Sequence, residues 1–448
     1  MSTPSRYAAP DHWGRSISPV IHRVWAYEVL DSRGAPTLEV EVRLASGARG
    51  AVAVPAGLST GSKERKESRD GERRYRGRGV RHAARVVRTE VADALHGMDA
   101  LHQAAVDARL RDLDGTPDKS RLGANAILGA SLATAHAAAA HCGVPLWRHL
   151  TPDPGHVLPV PMLNVLNGGA HARGGMDVQE LMLVPWGAES FADALRIAVQ
   201  IYWTLGDLLA EAGIPTSVGD EGGYAPRVGS TEDALDMLMS AVERAGLEPG
   251  VDVALALDAA ASGWRHDAGY RLRRAGRTLS RDGLIDFWEQ LVEGYPIVAL
   301  EDPMAEDDRE GWSLLHERLG DRVQLIGDDV FVTDPELVSE GIAADMANAV
   351  LVKPNQIGTL SETLATIEIA HAAGWATVVS HRSGETTDTT IADLAVGAQV
   401  GQIKAGAPCR GERVAKYNRL MRIEEELGDG ALFAGRAPFG RQRTSKSG

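Results

Sequence analysis

Six short apolar runs decide the fold: VDVALALD (251–258), IVALED (297–302), VQLIGDD (323–329), NAVLVK (348–353), ATVVSHRS (376–383) and GQIK (401–404). Each is rich in Val, Ile, Leu or Ala without polar alternation, which is typical of strands buried on both faces. The chain between successive runs is long enough for one helix and two loops. Because parallel strands need helical crossovers, the runs predict a barrel of alternating strands and helices.

Every run ends in charged or polar residues. The run ends are Asp258, Glu301 with Asp302, Asp328 with Asp329, Lys353, residues 381–383 and Lys404. In a βα-barrel the carboxyl ends of the strands point into one mouth, so these side chains are expected to share a cavity. Any one of them alone is more often an ordinary loop charge. The ordered set favours a catalytic site.

Composition excludes several classes of protein. The chain has 448 residues, 44% of them hydrophobic, which suits a large barrel with one smaller domain. Its 47 basic and 61 acidic residues give a net charge of −14, which argues against a nucleic-acid or membrane-surface partner. The two cysteines, Cys142 and Cys409, have no metal-type spacing, and the amino terminus has no apolar leader. We therefore expect a cytoplasmic protein.

The chain divides into four segments. Residues 1–19 are polar and are expected to form a flexible arm. Residues 20–150 contain three strand-like runs, expected to pair antiparallel, followed by three helical patterns, and predict an α+β domain. A proline-rich stretch then opens a barrel domain over 151–430, and 431–448 is expected to be a flexible basic tail. Within the first domain, the charged, Gly- and Ser-rich loop 54–71 has the length of a lid.

Ten ordered motifs between residues 22 and 430 resemble the enolase family. They are DSRGAPTLEVEV (31–42), GANAILGASLA (123–133), NGGAHA (167–172), QELM (179–182), GDEGGYAP (219–226), LEDPMAEDD (300–308), GDDVFVTDP (327–335), VKPNQIGTL (352–360), SHRSGETTDTTIADLAVG (380–397) and GQIKAGAPCRGERVAKYNRLMRIEEEL (401–427). The resemblance implies an α/β fold, an enolase-type (β/α)8 barrel with an N-terminal α+β capping domain. It also implies a barrel that begins with an antiparallel departure, a homodimer or higher homo-oligomer, and a lyase that forms an enolpyruvate.

The resemblance also implies a set of active-site roles. Matches to the metal ligands, for two Mg²⁺ ions, are Asp258, Glu301, Asp328 and Ser59. Matches to the catalytic residues are Lys353 as general base, Glu221 as general acid, Glu180 as its partner, and His381. The residues expected to bind a small anionic phospho- or phosphono-carboxylate are His171, Gln179, Arg382, Ser383, Lys404, Ser59, Lys63 and Arg65.

Two pKa shifts are expected from these roles. Nearby cations, the metals and Lys404, should lower the pKa of Lys353, because like charges disfavour the ammonium form. The shared negative charge of Glu180 should raise the pKa of Glu221.

The lid departs from the family pattern. The loop AGLSTGSKERKESRD (56–70) carries Lys63, Arg65 and Lys66 where the family is largely uncharged, and residues 262–264 and Thr387 also differ. The added charge suggests a more anionic substrate than 2-phosphoglycerate, as in carboxyphosphonoenolpyruvate synthase from phosphonate and phosphinate antibiotic pathways. The alternative is a housekeeping enolase of glycolysis with a drifted lid. A superfamily racemase or cycloisomerase and an inert scaffold protein fit the residues less well.

Overall fold

A computed structural model describes residues 18–57, 60–151, 156–172, 175–267 and 269–440. The chain forms two compact units. The first comprises Met1–Ala56, Glu64–Asp153 and Pro354–Leu364, and the second comprises Gly57–Lys63, Pro154–Lys353 and Ala365–Gly448. The first unit therefore includes a short segment, 354–364, that sequence reasoning assigned to the barrel, and the second includes part of the lid loop.

The first unit has an antiparallel sheet in the order β1 (Ile21–Leu30), β2 (Pro36–Leu44), β3 (Arg49–Ala53). Its helices are α1 (Arg81–Val86), α2 (Ala92–Leu95), α3 (Gln103–Asp114), α4 (Ala124–Cys142) and α5 (Leu146–Leu150). The Ala-rich α4 packs closely, because a Cβ at Gly50 would overlap the backbone of Ala133 and Ala137.

The second unit contains a closed barrel of eight strands, which confirms the predicted fold class. They are β5 (Val160–Asn167), β6 (Glu180–Val184), β7 (Ala254–Asp258), β11 (Ile297–Glu301), β12 (Gln324–Gly327), β13 (Ala349–Val352), β14 (Ala376–Ser380) and β15 (Gln402–Lys404). Strand β6 pairs antiparallel with both β5 and β7, and the other neighbours are parallel. Apolar side chains such as Met162, Met182 and Ile326 fill the interior.

Helices connect most of the barrel strands. They are α6 (Phe191–Glu211), α7 (Thr231–Arg244), α8 (Arg281–Gly294), α9 (Arg309–Leu319), α10 (Pro335–Ala343), α11 (Pro354–Ile357), α12 (Leu360–Ala372), α13 (Thr390–Gly397) and α14 (Gly411–Leu427). Several begin at a side-chain cap, for example Ser190, whose hydroxyl accepts a hydrogen bond from the backbone of Asp193. None of the helices in the described ranges has the length and apolarity needed to cross a membrane.

Two smaller sheets accompany the barrel. A three-stranded sheet is formed by β8 (Arg265–His266), β9 (Gly269–Leu272) and β10 (Arg277–Leu279), in the connection after β7. The strands β4 (Val157–Leu158) and β16 (Leu432–Phe433) pair in parallel.

The expectation of a flexible tail from residue 431 is wrong for residues 431–440. Leu432 and Phe433 pair with β4, and Phe439 is buried with its ring 5.5 Å from that of Trp186, edge to face. The apolar side chains explain the difference, because burying Phe439 at the barrel interior outweighs the polar composition of its neighbours. Residues 441–448 and 1–17 of the predicted tail and arm lie outside the described residues.

Candidate active site

Four of the six predicted strand ends line one small cavity, and Glu301 and Asp328 contact its lining residues Lys404 and Lys353. In the barrel ladder Asp258 lies opposite Glu301 on one side and Glu180 on the other. The cavity has a volume of about 20 Å³, room for about one water molecule. Its lining residues are His171, Gln179, Glu180, Glu221, Asp258, Lys353, Ser380, His381, Arg382, Ser383 and Lys404. The structure therefore brings the four predicted catalytic residues together with most of the predicted substrate-binding residues.

Lys404 lies among three carboxylates. Its Nζ is 2.7 Å from Glu301 Oε2, 3.2 Å from Asp258 Oδ2 and 3.3 Å from Glu180 Oε2. Burial opposes the charge, but the surrounding carboxylates, Asp258 foremost, hold the pKa of Lys404 well above its ordinary value. Lys404 is therefore a fixed cation at the centre of the cavity.

Lys353 is also held as a cation. Its Nζ donates to Asp328 Oδ2 at 2.5 Å. Burial works against the charge, yet the Asp328 carboxylate raises the pKa of Lys353 above its ordinary value. The expectation that the pKa of Lys353 is lowered is therefore wrong for the described structure. Arg382 and Lys404 do act to lower this pKa, but the effect of Asp328 is larger.

The acidic residues form a donor set that fits a hard divalent cation. Among the described residues, Asp302, Asp328 and Asp329 can each place one ligand atom within 4.8 Å of the others. Asp258 and Glu301 end neighbouring strands in register beside them. Carboxylate oxygens are the ligands that Mg²⁺ prefers. Among the described residues, Asp258, Glu301 and Asp328 are not grouped this closely, and the ammonium groups of Lys404 and Lys353 lie against them.

Asp302 orients the acidic cluster. Its two side-chain oxygens accept hydrogen bonds from the backbone N–H groups of Asp328 and Asp329, at 2.9 and 3.0 Å. Burial and the charges of Asp329 and Asp328 raise the pKa of Asp302 well above its ordinary value. Gln179 acts similarly on Asp258, donating from Nε2 to Oδ2 at 3.1 Å. Both side chains thus hold predicted metal ligands in place.

Two carboxyls and two histidines face each other across the cavity. His171 Nδ1 lies 3.3 Å from Glu180 and 3.6 Å from Glu221, and His381 Nε2 lies 3.5 Å from Glu221. Burial alone would lower the pKa of His171, but Glu221 and Glu180 raise it to about 9. Burial lowers the pKa of His381 well below its ordinary value. The two rings therefore differ in charge, with His171 protonated and His381 neutral.

The two carboxyls share a proton unequally. Burial and the charge of Glu221 raise the pKa of Glu180 to about 7. Although burial opposes its ionisation, the positive charges of His171 and Arg413 help to hold the pKa of Glu221 well below its ordinary range. The expectation that Glu180 raises the pKa of Glu221 is therefore wrong in direction: the raised pKa belongs to Glu180.

Arg413 is a site residue that sequence reasoning missed. Its guanidinium is fully buried and lies 2.5 Å from His381 Nδ1, 2.6 Å from the carbonyl oxygen of Arg382 and 2.7 Å from that of Ser383. It also donates to the carbonyl of Asp220, beside Glu221, at 3.2 Å. One side chain thus fixes both polar loops of the cavity. Its signal was present in the motif GERVAKYN, but an arginine on a helix is more often an exposed charge.

Replacing Arg413 by glutamine is expected to lower kcat about 10- to 100-fold, because each lost charge-assisted hydrogen bond contributes about 1.5–3 kcal/mol. The buried carbonyls would lose their donor and the His381 ring its fixed orientation. Arg413→Lys should restore part of the rate. The measurement is kcat and KM, with the melting temperature recorded in parallel.

The matched control is Arg419→Gln, on the same helix, where the arginine is bound to Asp393. It should leave kcat within about twofold, since surface and partly buried pairs away from the site contribute little. Equal kcat values for Arg413→Gln and Arg419→Gln would show that Arg413 has no positioning role.

Five predicted site residues do not line the cavity. Glu301 and Asp328 contact the lining residues Lys404 and Lys353. The other three belong to the lid loop. Ser59 lies outside the described residues. Lys63 and Arg65 do not line this cavity or the larger one described below. Lys63 is exposed, and the backbone N–H of Arg65 donates to the carbonyl of Gln356 at 2.9 Å. The structure thus gives no support to a substrate contact from these two side chains.

Comparisons with known proteins agree with this geometry. Residues 155–442 match the family model "Enolase, C-terminal TIM barrel domain", and residues 21–150 match "Enolase, N-terminal domain". A protein named Enolase from Acidothermus cellulolyticus is 54% identical over 422 residues, which cover 94% of this chain and 98% of that protein. A second, named Enolase from Mycobacteroides abscessus, is 55% identical over 424 residues, with the same two coverages.

Proposed function

The chain belongs to the enolase family and is a carbon–oxygen lyase, and we propose that it converts 2-phosphoglycerate to phosphoenolpyruvate in glycolysis. The observation that carries the proposal is the single cavity in which Lys353 faces Glu180 and Glu221, with Arg382, Ser383 and Lys404 beside them. A base and an acid at one cavity are what β-elimination from a carbon acid requires.

The substrate is held by the cationic and hydroxyl groups of the cavity. Arg382 and Ser383 clamp the phosphate, because a guanidinium fork matches an oxyanion. Lys404, held as a cation by its carboxylates, is placed to bind the substrate carboxylate. Arg382, Ser383 and Lys404 are buried, and away from bulk water each of these contacts is stronger.

Proton abstraction comes first. Lys353 Nζ takes the proton from the carbon next to the substrate carboxylate, and the electron pair moves toward that carboxylate. For this the amine must be neutral, so its pairing with Asp328 must be relieved. The positive charges of Arg382 and Lys404 then favour the neutral amine.

Elimination follows on the opposite side of the same bond. The electron pair forms the new carbon–carbon double bond, and the hydroxyl on the neighbouring carbon leaves. Glu221, ionised in the described structure, must carry a proton at this step; it takes the proton held by Glu180, whose pKa is about 7, and passes it to the leaving hydroxyl, so that the departing group is water. Asn164 Nδ2, 3.1 Å from Glu221 Oε2, keeps the acid aligned.

The proposed cofactor is Mg²⁺, two ions per site. Asp258, Glu301 and Asp328 would hold one, and Ser59 would join the second. Bound there, the ions would supply positive charge to offset the extra negative charge that develops on the substrate carboxylate. In the enolase superfamily a Lys or His base acts with one or two Mg²⁺ ions.

The housekeeping activity is favoured over the phosphonate hypothesis. The relatives that are 54 and 55% identical to this chain are both named Enolase. The hypothesis of a more anionic substrate depended on Lys63, Arg65 and Lys66, and the first two line neither cavity. The predicted homo-oligomer stays a prediction.

A direct assay tests the proposal. Purified protein with Mg²⁺ is given 2-phosphoglycerate or its phosphonoformyl analogue, and enolpyruvate formation is followed by absorbance. We expect kcat/KM to be at least about 100-fold higher for 2-phosphoglycerate, in the usual range for enzymes of about 10⁴ M⁻¹s⁻¹ or more. Preference for the analogue would overturn the proposal and restore the phosphonate hypothesis.

The lid cations are expected not to set substrate choice. Reversing the two exposed ones together, Lys63→Glu with Lys66→Glu, should change the ratio of kcat/KM for the two substrates by less than about twofold, because exposed charges that do not contact a ligand are screened by salt. The measurement is the same assay at 0.15 M ionic strength. A preference that shifts by tenfold or more would place these side chains at the substrate.

A further inference from the structure

A second, larger cavity adjoins the candidate active site. It has a volume of about 480 Å³ and shares Gln179 with the small catalytic cavity. Its floor includes Ala259, Ala260 and residues 262–264, which follow directly after Asp258 at the end of β7. Residues 262–264 are among those at which the sequence departs from the family pattern. The outer cavity thus leads from the surface to the strand end that carries a predicted metal ligand.

Three arginines line one side of this outer cavity. Arg271, Arg273 and Arg274 belong to β9 and the turn after it, and all three are exposed. We call these three residues the arginine rim. In the part of the chain that the structure describes, no ion pair or side-chain hydrogen bond occupies the guanidinium of any of them. Most other arginines of the second unit, such as Arg281 and Arg318, are paired with carboxylates.

The turn that carries the arginine rim is held in place. The carboxylate of Asp177, nearly buried, accepts hydrogen bonds from the backbone N–H groups of Arg274 and Ala275, each at 2.9 Å. Asp177 also lines the outer cavity, but its charge is taken up by these backbone donors. The backbone of the rim is therefore fixed, and its three cations line the cavity together with two carboxylates, that of Asp177 and that of Asp329, which belongs to the acidic cluster.

The position of the rim matters because the protein as a whole carries a net charge of −14. A phosphorylated carboxylate is repelled by such a surface unless its route of entry is locally positive. Charges lining a cleft focus the field and raise the local concentration of an oppositely charged ligand. The outer cavity shares Gln179 with the catalytic cavity, so an anion held in the outer cavity lies next to the residues that line the catalytic one.

We propose that Arg271, Arg273 and Arg274 form an outer anion-binding site that captures the phosphorylated carboxylate substrate at the entrance and lowers its KM without taking part in the chemistry. The inference rests on the proposed function for the identity of the anion. It predicts a contribution to binding that is electrostatic, and therefore sensitive to salt, and that leaves kcat unaffected.

The test uses the triple variant Arg271→Gln/Arg273→Gln/Arg274→Gln in the full chain with Mg²⁺. At about 50 mM ionic strength its KM for 2-phosphoglycerate should be about 3- to 10-fold above that of the unaltered protein, with kcat within about twofold. At about 0.5 M salt the two KM values should converge, because the Debye length is then only about 4 Å. A difference in KM that persists at high salt, or a lowered kcat in place of a raised KM, would overturn the proposal.

The matched control is Arg244→Gln/Arg318→Gln/Arg322→Gln, which removes the same three charges. These exposed arginines lie at the ends of α7 and α9 that precede β7 and β12, on the face of the barrel opposite the mouth. The control should keep the KM of the unaltered protein within about twofold at either salt concentration. An equal rise of KM in the control and in the rim variant would mean that only net charge matters.

A binding measurement separates this inference from the proposed function. If the protein does not turn over 2-phosphoglycerate, the proposed function fails, and binding of the same compound is then measured by calorimetry at low salt without added metal. The outer site predicts that the rim variant binds it about 3- to 10-fold more weakly than the control does. Equal affinities, or no binding to the unaltered protein, would overturn the outer site.

Discussion

Replacing Lys353 by alanine is expected to lower kcat about 10⁴-fold, at the upper end of what a positioned base contributes. Lys353 lines the cavity and is the amine proposed to take the substrate proton. Two contacts hold the residue in place: its backbone N–H donates to Thr333 Oγ1 at 2.8 Å, and its Nζ donates to Asp328. The measurement is steady-state kcat on 2-phosphoglycerate with saturating Mg²⁺.

Lys63→Ala is the control for this variant, since Lys63 is an exposed lysine that lines neither cavity. It should retain kcat within about twofold. Far-ultraviolet circular dichroism and melting of both variants check that the barrel is intact. A folded Lys353→Ala variant that keeps more than a tenth of the rate would remove Lys353 from the role of base.

Replacing Glu301 by glutamine is expected to raise the Mg²⁺ concentration needed for half-maximal activity by at least about tenfold and to lower kcat about 100-fold. Glutamine keeps the shape of the buried side chain but cannot ionise, so it removes the carboxylate that would hold a cation at the end of β11, beside Asp258. It also removes one of the three carboxylates around Lys404. Calorimetric titration with Mg²⁺ measures the affinity separately from turnover.

Glu310→Gln is the matched control, because Glu310 is an exposed carboxylate at the start of α9, paired with Arg281. It should leave the Mg²⁺ requirement unchanged. Treatment of the unaltered protein with a chelator should abolish turnover, and added Mg²⁺ should restore it. Unchanged Mg²⁺ affinity in Glu301→Gln would show that the metal, if any, is held elsewhere.

The barrel was predictable because its strands are short, uninterrupted and punctuated by charges. Runs such as IVALED and NAVLVK have the pattern of neither exposed strands nor amphipathic helices, and β11 and β13 lie within them. The strand register then determines which residues meet. Because Asp258 and Glu301 end adjacent parallel strands, their side chains must be neighbours. The antiparallel β6 came from the family resemblance, since apolar content does not reveal strand direction.

Other features depend on long-range contacts that local patterns do not encode. Arg413 is 32 residues from the His381 it holds, and only packing of α14 shows that its guanidinium is buried. From sequence alone, the residues of the arginine rim cannot be distinguished from those of an ordinary charged hairpin. The tail residue Phe439 is surrounded by polar neighbours in sequence but by Trp186 and the barrel in space.

The pKa values show a different limit of prediction from sequence. Sequence identifies which groups share the cavity but not which partner lies closest. The 2.5 Å contact between Lys353 and Asp328 decides that the amine is charged in this structure, and the charges of Asp258, near Glu180, and of Arg413, near Glu221, help to decide that Glu180 and not Glu221 has the raised pKa.

The central claim is that one cavity holds a base and an acid that act in separate steps on the same substrate. Its most direct test is exchange of the 2-phosphoglycerate proton with solvent in D₂O, followed by NMR, in Lys353→Ala and in Glu221→Gln. We predict that Glu221→Gln still exchanges the proton but forms no phosphoenolpyruvate, whereas Lys353→Ala does neither. Exchange that persists in Lys353→Ala, or is lost in Glu221→Gln, would contradict the assignment of base and acid.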